Sequence, residues 1–211
     1  MKIFTQHYLL FLLTIIIFSC STNKKIPSNA YEAQVEEYRQ HYKQDFITTE
    51  QSPLDKKDLK NLSFFNPDSS YRLTCVVSLT PDEKPFELST YSGQTKPFRK
   101  YAELSCPIHE TEIALNVYQS LRTIKMPGYR DYLFLPFKDA TNGEITYGGG
   151  RYIDLKTGDI DKNEVIIDFN KAYNPWCAYS EGYNCPIPPR ENHLEIAIQA
   201  GEKNYLGKKK K

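Results

Sequence analysis

Three groups of residues in the second half of the chain have the types and spacing from which a site could be built. The first is Cys177, Cys185 and His193, each eight positions after the last. Two thiolates and an imidazole are zinc ligands, but zinc pairs usually lie closer together. In an exported chain Cys177 and Cys185 are expected instead to close a small loop as a disulfide, contributing roughly 2–3 kcal/mol. Zinc on Cys177, Cys185 and His193 is the alternative, and no other cofactor is expected. Cys75 and Cys106 fall on the apolar faces of two predicted strands, as a second disulfide or as buried thiols. Four cysteines allow three pairings, and spacing does not choose among them.

The second group is Gly148-Gly149-Gly150-Arg151. Bare backbone N–H groups beside a guanidinium suit an anionic ligand, a carboxylate or a phosphate. Three glycines in a strand equally mark a bulge or the close approach of another strand, and Arg151 could pair with Asp139, Asp154 or Asp168 instead. No Gly-Lys-Ser/Thr follows, so the segment is not a P-loop. The third group is Asp168, Asn170, Asn174, Trp176, Tyr179, Glu191 and Asn192, with Tyr173 and Tyr183 among them. Rings and amides of this kind can line a groove for a sugar-like or peptide ligand, or pack as a loop held by its own rings. No Gly-x-Ser-x-Gly elbow is present, and nothing near Ser180 supplies a base. Asp139, Asp154, Asp168 and Glu191 could supply paired carboxylates, but sequence spacing does not fix the separation glycoside cleavage needs. No catalytic residue is assigned.

These groups must be held by a foldable globule. The chain has 211 residues, 40% hydrophobic and 13% aromatic, with 27 Lys and Arg against 26 Asp and Glu. That charge balance argues against nucleic acid as a partner. Residues 1–19 read as a signal peptide, because Tyr8–Phe18 is an apolar core too short to span a bilayer comfortably. It ends in Ile17-Phe18-Ser19-Cys20, which resembles the bacterial lipobox; Phe18 is larger than the residue usual at its position. Acylation of Cys20 would anchor the protein to a membrane, since more than one acyl chain holds firmly. Residues 20–29 then form a polar tether, 30–203 a single β-rich domain, and 204–211 a basic tail. The expected location is the bacterial cell envelope, facing the periplasm. Oligomeric state stays open.

Tyr31, Val35, Tyr38, Tyr42 and Phe46, three or four apart, predict one N-terminal amphipathic helix ending before Pro53. From Tyr71 the period becomes two. Strands are predicted at 71–79, 86–91, 97–106, 112–121, 131–139, 144–155, 164–170 and 193–200, with Asn142-Gly143 as a hairpin turn. The fold class is mainly β: an antiparallel sandwich or partly closed barrel with the helix laid against it.

Gly-Gly-Gly-Arg-Tyr (148–152), Asp-Phe-Asn-Lys-Ala-Tyr-Asn-Pro (168–175), Cys-Ala-Tyr (177–179), Cys-Pro-Ile-Pro-Pro-Arg-Glu-Asn (185–192) and Ile-Gln-Ala-Gly-Glu-Lys (198–203) resemble the bacterial domain of unknown function 1684 family, as does 136–143. The likeness runs from about Tyr31 to Lys203 and implies no activity. Together these readings lead to a lipid-anchored envelope protein, a non-enzymatic ligand-binding or envelope-maintenance module. The rival is a metal- or carboxylate-dependent hydrolase acting on an envelope component; a purely structural domain is a third reading.

Overall fold

In chain order the elements are α1 (Ser28–Thr48), β1 (Arg72–Leu79), β2 (Phe86–Ser89), β3 (Thr95–Ile108), β4 (Thr111–Ser120), β5 (Tyr132–Phe137), β6 (Arg151–Lys156) and β7 (Glu164–Asp168), with short 3-10 turns between some of them. They come from a computed structural model that describes residues 28–211. The expected signal peptide, the lipid site at Cys20 and most of the tether lie outside the described residues.

The strands form one antiparallel sheet in the order β6-β5-β4-β3-β1-β7, with β2 added to β3. β3 organises it. One edge pairs with β4 from Phe98 to Ile108, while the other is shared between β2 at Thr95–Phe98 and β1 at Ala102–Ser105. A register shift between Lys100 and Ala102 bends the strand at the point of handover, as bulges do. The sheet curls into a half-barrel, so its end strands β6 and β7 line one groove. Period-two alternation fills the inside: Leu73, Cys75 and Val77 of β1 face Leu104, Cys106, Leu115, Leu133, Ile153 and Ile167 in one apolar core. The outer face carries a second cluster, Leu88, Phe98, Tyr118, Phe134 and Tyr152. β5 is therefore buried on both faces, which is why it reads as a continuous apolar run.

α1 turns Tyr31, Val35, Arg39 and Phe46 inward and packs on the turn at Phe169–Lys171. Cys75 and Cys106 stand opposite each other across the β1–β3 ladder, one step beyond the Val76–Ser105 pair, and are joined. Cys177 and Cys185 form the other disulfide.

Three expectations are corrected. The predicted strand 144–155 begins only at Arg151, because residues 141–146 fold onto themselves. Gly143 N–H bonds Thr146 O, and Thr141 and Asn142 both bond the Thr146 hydroxyl. Asn142-Gly143 does turn the chain, but within a longer connection across 138–150. Residues 193–200 are not a strand. Their alternation is real, with Ile198 buried and Leu194 and Ile196 against the core, but the backbone joins only residues 138–140, through Leu194 N–H to Lys138 O and Ala140 N–H to Ile196 O. The 204–211 segment is not a free tail: Lys210 pairs backbone groups with Tyr179 and Glu181 and places its ammonium 2.5 Å from Asp58.

Candidate functional site

Arg151 opens β6 with its side chain wholly inside the protein, 0% exposed. Its guanidinium pairs with Asp139 at 2.8 Å and donates to the carbonyls of Ile198 at 2.9 Å, Glu202 at 3.2 Å and Ala200. Burial lowers its pKa, and the facing Asp139 carboxylate opposes that shift. The expected anion site at Gly148–Arg151 is therefore not formed; the guanidinium is a clasp that binds the protein's own C-terminal segment. Gly149 and Gly150 are there for close approach, while Gly148 has ordinary room beside Gly143. Gly150 has φ +87°, and a Cβ on it would lie 2.6 Å from the Phe137 carbonyl and 2.8 Å from Pro188. Gly149 offers its carbonyl to the Tyr91 hydroxyl at 2.8 Å.

The asparagines are spent in the same way. Asn192 accepts from Asn116 N–H at 2.7 Å and donates to the Asn116 and Pro136 carbonyls at 2.8 and 2.7 Å. Its amide thus stands in for a peptide group where β4 and β5 pair only at Tyr118 and Phe134. Asn170 donates to Tyr31, Asp68 O and Asp168, and so ties α1 to the end of β7. Glu191 is at the surface, taking a hydrogen bond from Tyr118 at 3.0 Å. His193 is exposed with its Nε2 on the Pro188 carbonyl at 3.0 Å, and both cysteines are in a disulfide, so the thiolate–imidazole set is not assembled. Among the described residues no group of three or more His, Cys, Asp or Glu is placed to hold a metal.

Four residues singled out from the sequence, Asp154, Asp168, Tyr173 and Trp176, do meet in a groove of about 610 Å³ at the open seam of the half-barrel. α1 supplies one wall with Tyr38, Tyr42, Asp45 and Phe46. The edge strands supply Asp154 and Ile166, and the chain after β7 supplies Lys171, Tyr173 and Trp176. Tyr38 and Tyr42 stack at 6.5 Å with their planes 7° apart, and Tyr173 meets Tyr42 at 5.8 Å. Asp154 takes the hydroxyls of Tyr132 and Tyr173 on one oxygen, at 2.8 and 2.7 Å. Among the described residues no donor meets its other oxygen. The surrounding walls raise its pKa although its side chain stays open to the groove, and the two tyrosine hydrogen bonds pull it back.

Behind Tyr42 lies Glu202, fully buried. It receives the Tyr42 hydroxyl at 3.0 Å, the Tyr179 hydroxyl at 2.7 and 2.8 Å, and the Asn174 N–H at 2.9 Å. Burial lifts it from the usual 4.5 to about 7, against those hydrogen bonds. Asn174 and Tyr179, expected to touch a ligand, instead hold this carboxylate. The sequence reading missed Tyr38, Tyr42, Asp45 and Lys171 as wall residues. Tyrosines four apart on a helix flank look like packing, and nothing short of the sheet's curl brings them to Asp154.

Residues 57–203 match the family described as protein of unknown function, DUF1684. The chain belongs to this family. The matched region begins after α1, so the family domain contributes the strand and loop walls of the groove while the helix wall precedes it. A solution NMR structure of an uncharacterized protein of Haloarcula marismortui is similar over 83% of this chain and 95% of its own, at 32% identity and a TM-score of 0.64. No curated protein matches the chain.

Proposed function

We propose that this DUF1684 protein is a lipid-anchored component of the bacterial cell envelope that holds a small polar ligand, without chemistry, in the groove between α1 and the sheet edges. One observation carries the reading: the groove gathers five aromatic side chains and an open carboxylate at Asp154 that forms no ion pair among the described residues, in a molecule whose other singled-out polar residues mostly bind the chain itself. The Ser19-Cys20 signal supports the anchor. From Cys20 to the helix start at Ser28 the chain can reach roughly 29 Å at about 3.6 Å per residue, so an anchored domain stays close to its membrane.

Trp176 is the chain's one tryptophan and it lines the groove, which makes its fluorescence a direct reporter. Titrating the full chain in detergent with soluble envelope fragments should give a saturable change in Trp176 emission. No change with any fragment rules out a ligand site here.

A second reading rests on Asp154, a carboxylate with a raised pKa in an open groove, the profile of a proton donor for hydrolysis. Product analysis after incubation with the same fragments separates the two: release of products by wild type and not by Asp154→Asn supports the hydrolase.

A further inference from the structure

We propose that the ligand of the groove carries an organic ammonium group, a protonated amine or a quaternary nitrogen. The inference rests on the groove being a ligand site and names what it takes. Four carboxylates line it, Asp45, Asp154, Asp159 and Asp168, against two cations, Arg72 and Lys171. Three of the four accept hydrogen bonds from the protein: Asp168 holds Tyr31 and Asn170, Asp159 caps the Lys156 N–H, and Asp154 takes Tyr132 and Tyr173 on one oxygen, leaving the other without a donor among the described residues. Asp45 and Asp154 form no ion pair among the described residues.

The rings complete the site. Tyr38 and Tyr42 lie with their planes nearly parallel, and the negative face of an aromatic ring attracts cations. The protein already makes this contact once: the Lys171 ammonium sits 5.5 Å from the centre of the Tyr38 ring. Among the described residues that ammonium forms no salt bridge, so it rests against the wall by the ring face. Beyond burial, which is the larger cause, the Tyr38 hydroxyl is pushed up by Asp154, Glu202, Asp45 and Asp168 together, so their negative field converges on the same wall. An anionic ligand would meet that field as repulsion. A neutral sugar could stack on the rings but would leave the unpaired carboxylates without a counter-charge.

The test uses the full chain in nonionic detergent and reads Trp176 emission and binding heat. The probes are choline and glucosamine, as quaternary and primary ammonium, against glucose and glucose 6-phosphate. Choline or glucosamine should saturate the signal, with affinity falling as salt is added. Asp154→Asn and Asp45→Asn should each weaken binding about tenfold, the loss of one charge-assisted contact. Asn at 154 keeps an oxygen for Tyr132 and Tyr173, and Asp45 is exposed on the helix, so neither change threatens the fold. Saturation by glucose or glucose 6-phosphate but not by the amines overturns the ammonium assignment and leaves the groove as a ligand site. Amine binding unchanged in both variants places it elsewhere and overturns the assignment too. Silence from all four probes overturns it together with the reading on which it rests.

Discussion

Replacing Glu202 by Gln should flatten the pH dependence of stability between about pH 4.5 and 7. Glu202 is fully buried, forms no ion pair among the described residues, and is lifted by burial from the usual 4.5 to about 7. In that window the folded protein holds a proton that the unfolded chain has released. Stability from this group is complete below about pH 4.5 and is lost as pH rises through 7. At about 1.4 kcal/mol per pKa unit, the loss is of order 3 kcal/mol by pH 8. Gln fits the site: its carbonyl can take the Asn174 N–H and the Tyr42 hydroxyl, and its amide can donate to the Tyr179 oxygen. The variant should match wild type at low pH and exceed it by up to roughly 3 kcal/mol at pH 8. Urea unfolding followed by Trp176 emission and circular dichroism, repeated across this range, measures the difference. Asp154 is also raised and slopes the same way, but it is present in both proteins and cancels. Parallel curves for the two proteins would refute the reasoning.

Arg151→Lys keeps the charge but loses the fork that reaches Asp139 and three carbonyls; it should cost roughly 3–5 kcal/mol in urea unfolding, and a loss below about 1 kcal/mol would show that the clasp is not what the geometry implies. Removing the Cys75–Cys106 disulfide by a double serine change should lower stability by about 3–4 kcal/mol, from the loop its separation of 31 closes. Peptide mapping without reductant should recover Cys75 with Cys106 and Cys177 with Cys185; cross-pairs would contradict the β1–β3 register. Cys20→Ser should release the protein from membranes and abolish fatty-acid labelling, and label that persists removes the anchor from the proposal.

The fold was largely legible because burial imposes a period. Leu73, Cys75 and Val77, or Ile113, Leu115 and Val117, alternate since one face of the half-barrel is apolar core and the other is not. The same signal misled at 193–200, where side chains alternate into the core although the backbone has no continuous partner strand. The site was legible at Asp154, Asp168, Tyr173 and Trp176, but not along the α1 wall. A guanidinium or an amide that satisfies buried carbonyls has the same chemistry as one that grips a ligand, so Arg151, Asn170, Asn174 and Asn192 cannot be sorted by type. What decides between them is enclosure, a property of the whole fold. Short spacing already pointed to Cys177 with Cys185, whereas Cys75 meets Cys106 only once the strand register is known.

The clasp at Arg151 also orders events in time. Its carbonyl acceptors lie at Ile198, Ala200 and Glu202, and Glu202 in turn collects Tyr42, Asn174 and Tyr179. A ribosome delivers all seven strands before it delivers these residues. Until then Arg151 has Asp139 and no carbonyls, and the Tyr42 and Tyr179 hydroxyls lack the Glu202 carboxylate they share. The buried polar network is thus completed only after every strand has been made. A chain threaded outward unfolded would gain from that delay, since a precursor that cannot finish its interior early remains easy to pull through a narrow pore.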